Sequence, residues 1–277
     1  MILAAGAAAL LASLLSLLVW RVTGDDRWVV YLFRFPGAFL LVGFAAIQLW
    51  YSWGCIGQFS AGQPIRRAWI LISWSAAFNV AGTVCIQILS VGDSKIRDIG
   101  HLLDGTCRYS LLAAGLWWAV RAYQQSGLLA RLTLANRLLL GLLAVYIAWE
   151  LQGVVAAIHR GKHLPLSQIL NWPVDPLLCL LLAQALLLYR SNRQMGDGYI
   201  GRCWMAISAG IFLICMGDVS IWAAAYGYLP WPWSAVQWFV WLPAAAAFAV
   251  APIFQLDASY RARATRGPMP SLRARLR

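Results

Sequence analysis

Eight stretches of predominantly apolar residues, separated by short polar connections, constrain this chain more than any other feature. They run over 2–20, 35–56, 68–91, 102–120, 138–158, 168–189, 203–226 and 235–254. A bilayer core is crossed by roughly 20 apolar residues in an α-helix. Within lipid only helices and closed barrels satisfy every backbone N–H and C=O. The lengths suit helices, so the expected fold is all-α: a polytopic membrane protein of about eight transmembrane helices. The fourth stretch is the weak one. Its uncharged part, Tyr109 to Val120, is too short to cross, and it spans only if the helix also carries Asp104 and Arg108.

Composition closes the alternatives. Of 277 residues 61% are apolar and 12% charged, and a soluble fold of this size cannot hide that much apolar surface. Disordered, collagenous and disulfide-scaffold classes are excluded. Nucleic-acid binding is excluded as well, despite a net charge of +12. The first stretch is read as a mature helix and not a secretory signal. It lacks a basic leading segment, its apolar run is too long, and no clear small-residue cleavage site follows.

Lys and Arg distribute unevenly about the spans. The even-numbered loops and the C-terminal stretch carry most of them: Arg66, Arg67, Arg121, Arg131, Arg137, Arg190, Arg193, Arg202 and six arginines after Asp257. By the positive-inside rule this side is cytoplasmic, and eight spans put both termini there. Arg21 and Arg27, just after the first span, argue locally the other way; the whole-chain distribution outweighs them. Many of the 16 tryptophans lie at expected interfaces, as Trp50, Trp53, Trp117, Trp118, Trp231 and Trp233 do, which is the pattern of an aromatic belt. A pigment- or quinone-contacting surface is the alternative.

The two halves match at an offset of 135 residues. Arg67-Ala68-Trp69 pairs with Arg202-Cys203-Trp204, Ile72-Ser73 with Ile207-Ser208, and Gly82 with Gly217. This divides the chain into two tandem four-helix units, 1–134 and 135–254, followed by a basic cytoplasmic tail, 255–277. An even number of helices per unit makes the repeats parallel, about an axis near the membrane normal. The tail's arginines suit an anionic inner leaflet; docking of an acidic protein partner is the alternative.

Cys55, Cys85, Cys107, Cys179, Cys203 and Cys215 form no C-x-x-C pair. They read as small apolar residues, with no disulfide, Fe–S or zinc site expected. His101, His159 and His163 lie at helix ends or in loops, which disfavours a transmembrane haem. Lys95 and Lys162 lie outside the spans, which excludes a retinal Schiff base. No cofactor is expected beyond lipid or pigment contacts.

Intramembrane carboxylates are costly and by default functional. The second half has three: Glu150, Asp175 and Asp218. Counted from the expected span ends, each lies roughly 10–12 Å below the outer surface at 1.5 Å per residue. Asn171 and Trp172 lie one turn above Asp175, and Pro173 opens the backbone between them. The first half has Leu15, Leu40 and Thr83 at the matching positions. Its charged pair, Asp104 and Arg108, is spaced i,i+4 with the acid nearer the N-terminus, the favoured order for an ion pair. These seven residues are the candidate ligand-binding set: a polar pocket open to the outer face, suited to a proton, a cation or a polar small ligand.

Residues 171–254 carry a further pattern. Trp172-Pro173-Val174-Asp175 opens a leucine-rich helix ending in Arg190; Arg202 and Trp204 follow, then a helix through Gly217-Asp218, Tyr228, and a last helix with Trp238, Trp241 and Ala244–Ala247. This resembles the multi-helix membrane regions that precede output domains in bacterial diguanylate cyclases and sensor histidine kinases. The resemblance implies a bacterial inner-membrane location and a sensory role for Asp175 and Asp218. No cyclase, kinase or phosphodiesterase domain follows the last span, so it also implies that a separate partner, met through the basic cytoplasmic side, carries the signal. No Gly-rich phosphate loop, H-E-x-x-H, G-x-S-x-G or D-D-x-x-D pattern is present, and Asp25-Asp26 stands alone, so the reading leans away from an enzyme. The functional expectation is a membrane sensory or partner-binding module. The alternatives are a structural subunit of a larger membrane complex and a proton- or cation-coupled transporter.

Overall fold

A computed structural model gives the architecture. It describes residues 26–89, 94–159, 161, 173–194, 198–225, 228 and 236–265, with a few isolated positions before residue 25. Among the described residues the chain is helical and has no strand. The helices are α1 (Asp26–Ile56), α2 (Pro64–Val84), α3 (Ser94–Leu102), α4 (Arg108–Gln125), α5 (Leu134–His159), α6 (Val174–Gln194), α7 (Tyr199–Ala225) and α8 (Val236–Thr265). Two π-helical turns, Cys85–Leu89 and Leu103–Cys107, continue α2 and join α3 to α4.

Among the described residues six segments are long and apolar enough to cross a membrane: Gly37–Ile56, Pro64–Leu89, Leu134–Gly153, Val174–Gln194, Ile200–Ser220 and Val240–Ala264. The first expected span, 2–20, lies largely outside the described residues. The fourth falls on α4, where Arg108 and Arg121 near the two ends leave too short an apolar run between them. The last helix runs on to Thr265, so residues 255–265 of the stretch read as tail are its final turns.

Local chemistry sets the turns. The 57–63 connection ends at Pro64, the first position of α2, where a missing N–H costs nothing. Gln63 Oε1 accepts from the Ser60 backbone N–H at 3.1 Å. Gly127, at φ +68°, closes α4: its N–H donates to the Gln124 carbonyl, and the Leu128 N–H reaches back to that of Tyr123. That double bond satisfies the carbonyls a helix end leaves open, and the left-handed residue favours glycine. Thr133 caps α5, its Oγ1 accepting from the Asn136 N–H at 3.2 Å.

The long helices close into a ring. α1 packs on α2, α2 on α4, α4 on α6, α6 on α7, α7 on α8, and α8 back on α1. α5 stands outside it against α6. Across the ring Trp69 of α2 and Trp204 of α7, both fully buried, stack with centroids 6.3 Å apart and planes at 30°. Around them a single apolar core joins Ile72, Leu112, Leu116, Leu181, Leu188, Ile207, Ile211 and Phe248. The outer surface is apolar too. Trp50, Trp53, Trp74, Trp117, Leu138, Leu142 and Trp149 are exposed, the inverse of a soluble surface and a match to lipid.

Candidate functional site

Toward the end of the ring remote from the α8 C-terminus, the core turns polar. Here α2 and the π-helical turn Leu103–Cys107 meet almost backbone to backbone. A Cβ on Gly82 would lie 2.5 Å from the Asp104 backbone N and 2.6 Å from its Cβ, so only glycine fits. Such π-turns frequently mark functional positions, because the extra residue re-aims its neighbours. Ser75 Oγ donates to the Arg108 carbonyl at 2.9 Å and ties α4 to α2.

This places a charge inside. Arg108 Nη1 donates to Asp104 Oδ1 at 2.9 Å, with the arginine side chain 8% exposed and the aspartate 30%. The guanidinium carbon lies 5.0 Å from the Tyr109 ring centroid and 5.4 Å from that of Phe248 on α8. A cation over an aromatic face is attracted most strongly where water is excluded. The i,i+4 pair therefore sits within the bundle, and its arginine faces helices from both halves of the chain.

The other expected site residues divide. Asp218 of α7 is half-buried and within electrostatic reach of Tyr109 and Cys215. Asp175 is also within reach of Cys215. It lies in the first turn of α6, which starts at Val174, and so is not well inside a span. A carboxylate there is favoured by the helix dipole, which lowers the cost of keeping it. Glu150 is on α5, outside the ring, and its side chain is outside the described part of the structure. Asn171 and Trp172 lie outside the described residues.

Neutral polar groups also line this half of the bundle, and sequence reasoning missed them. Asn79 Nδ2 donates to Gln48 Oε1 at 3.4 Å, and Thr83 Oγ1 to Asn79 Oδ1 at 3.4 Å, all three side chains buried. Away from that end, Gln184 Oε1, midway along α6, and Ser52 Oγ, near the C-terminus of α1, are also buried with no hydrogen-bond partner. Their signal in the sequence was amide and hydroxyl residues within apolar stretches. At the opposite end, Trp204 Nε1 donates to Tyr123 Oη at 3.2 Å, and Tyr123 Oη donates to Asn192 Oδ1 at 2.9 Å, a lock joining α4, α6 and α7. The 135-residue match named Trp69 and Trp204 but not that they touch.

Among the described residues no group of three or more His, Cys, Asp or Glu is arranged to hold a metal ion. The six cysteines are free thiols. The arrangement offers a buried arginine paired with a half-buried carboxylate. No family model, curated protein or solved structure matches the chain.

Proposed function

We propose that this chain is a membrane sensory or partner-binding module whose polar interior, around Arg108, Asp104 and Asp218, responds to a proton, a cation or a small polar ligand. In this reading the polar end faces outward from a bacterial inner membrane and the arginine-rich end faces the cytoplasm, where a separate protein receives the signal. The carrying observation is the Asp104–Arg108 pair within the ring. Taking two charges out of water is costly, and apolar side chains of similar volume are often more stabilising. Its presence points to use, not to packing. The resemblance of 171–254 to bacterial sensor membrane regions supports this reading.

The proposal includes two tandem units, 1–134 and 135–254. Three features support it. Ser73 and Ser208 each donate to the carbonyl four residues back, on the matched Trp69 and Trp204, at 2.7 and 2.8 Å. The order α1–α2–α4 in one half repeats as α6–α7–α8 in the other. Contacts between halves are reciprocal, α4 on α6 and α8 on α1. A ligand between such units would bias how they sit on each other, which is a two-state element a partner can read.

A structural-subunit reading has one observation in its favour: α5 leaves Leu138, Leu142, Val145 and Trp149 uncovered on a helix that packs mainly against α6. One experiment separates the readings. The purified protein is reconstituted in liposomes, and intrinsic tryptophan fluorescence is followed from acid to neutral pH with proton flux measured in parallel. A sensor gives a titrating signal without flux, lost in Asp218→Asn and weakened in Asp175→Asn. Wild-type titration in both variants overturns the proposal, and sustained flux replaces it with a transporter.

A further inference from the structure

The end of the ring that carries the α8 C-terminus holds a second constellation, unrelated to the polar interior. Arg67, in the first turn of α2, places its guanidinium carbon 4.8 Å from the centroid of the Trp118 ring. Arg121, toward the C-terminal end of α4, places its own 5.8 Å from the same centroid. Both arginines are exposed and Trp118 is half-buried. Two like charges are thus held on one ring. An anion between them would be attracted by both. The one described acid at this end, Asp257, is engaged elsewhere, both its carboxylate oxygens accepting from Arg261 Nε.

The surroundings say which anion. Arg67 shares a helix face with Trp74, seven residues on, and Arg121 with Trp117, four residues back. Trp74 and Trp117 are 50% and 56% exposed, so the two cations cap an apolar, outward-facing strip. Aromatic side chains with arginine at a helix end is the composition of the membrane–water interface. A soluble acidic protein would meet only the charges; a phospholipid meets the charges with its headgroup and the tryptophans with its acyl chains.

We propose that Arg67, Trp118 and Arg121 form a binding site for the phosphate of an anionic glycerophospholipid at the seam of α2 and α4. The guanidinium of each arginine donates to phosphate oxygens while its face stays on the indole, a geometry for which lysine is a poor substitute.

The test is native mass spectrometry of the detergent-purified full chain, titrated with phosphatidylglycerol or phosphatidylcholine. Each interfacial charge contributes a factor of about five to anionic lipid binding, so Arg67→Gln/Arg121→Gln should lose about 25-fold for phosphatidylglycerol. Phosphatidylcholine binding should be unchanged. Arg190→Gln/Arg193→Gln, which removes two charges at the same end but away from Trp118, should retain phosphatidylglycerol as wild type does. Equal loss in both double variants would overturn the site in favour of general surface charge. Displacement of the lipid by millimolar inorganic phosphate would overturn the lipid as the source of the phosphate. Undiminished binding in the Arg67/Arg121 variant would overturn the proposal outright.

Discussion

Replacing Asp104 by Asn keeps the shape of the π-turn and removes the charge facing Arg108. The guanidinium then stays buried, 8% exposed, with two aromatic rings and an amide oxygen for company. Breaking a fully buried pair from one side costs about 3–5 kcal/mol. Asp104 is 30% exposed, so screening from outside reduces this to about 2 kcal/mol. Arg108→Met should cost less, about 1 kcal/mol, because the aspartate left behind reaches solvent and Met fills the space between Tyr109 and Phe248. The double variant should be little worse than Arg108→Met alone, which gives a coupling of about 2 kcal/mol. A side-chain hydrogen bond inside a membrane protein averages about 0.6 kcal/mol, so the two cases are distinguishable. The assay is reversible unfolding in mixed micelles, followed by tryptophan fluorescence. Additive single-variant effects, or an Asp104→Asn variant as stable as wild type, would refute a buried ion pair.

Other outcomes follow from the same geometry. Gly82→Ala should destabilise by about 1–3 kcal/mol in that assay, because its Cβ meets the backbone of Asp104 and not a side chain that can turn away. Gly62→Ala, with nothing within 4 Å, should be near neutral. Tyr123→Phe strands Trp204 Nε1 and Asn192 Oδ1 and should cost about 2 kcal/mol. Trp69→Ala should cost about 3–5 kcal/mol by opening the core. In a cycle with Trp204→Ala it should show about 0.5–1.5 kcal/mol of coupling from the stack.

What was legible in the sequence follows the physics of each signal. A run of apolar residues announces a membrane-length helix whatever packs beside it, so α1, α2 and α5 to α8 lie close to their expected places. Asp104 and Arg108 were readable because i,i+4 spacing is a local rule. The start of α6 was not: Leu164 to Leu170 is as apolar as the helix that follows, and the helix proper begins only past Pro173, which moves Asp175 to a first turn. The π-turns were not readable either, because their cause is tertiary. Gly82 must seat on Asp104, and Gly100 on Cys85 and Ile86, before the extra residue has a purpose. Gln48 and Asn79 were passed over because a neutral amide barely interrupts an apolar pattern, yet buried it must find a partner, and each finds the other.

The polar interior exists only if the first and last helices of the ring meet. At the other end of that contact Gly54 of α1 and Leu256 of α8 face each other: a Cβ on Gly54 would lie 3.3 Å from Leu256 Cδ1. Gly54→Cys with Leu256→Cys, in a chain whose native cysteines are replaced by Ala, should form an intramolecular disulfide on mild oxidation in membranes. The product should show a gel shift reversed by dithiothreitol. The same Gly54→Cys paired with Leu138→Cys on the outlying α5 should not cross-link. No bond in the first pair, or equal bonding in both, would contradict the closed ring and with it the site that the ring encloses.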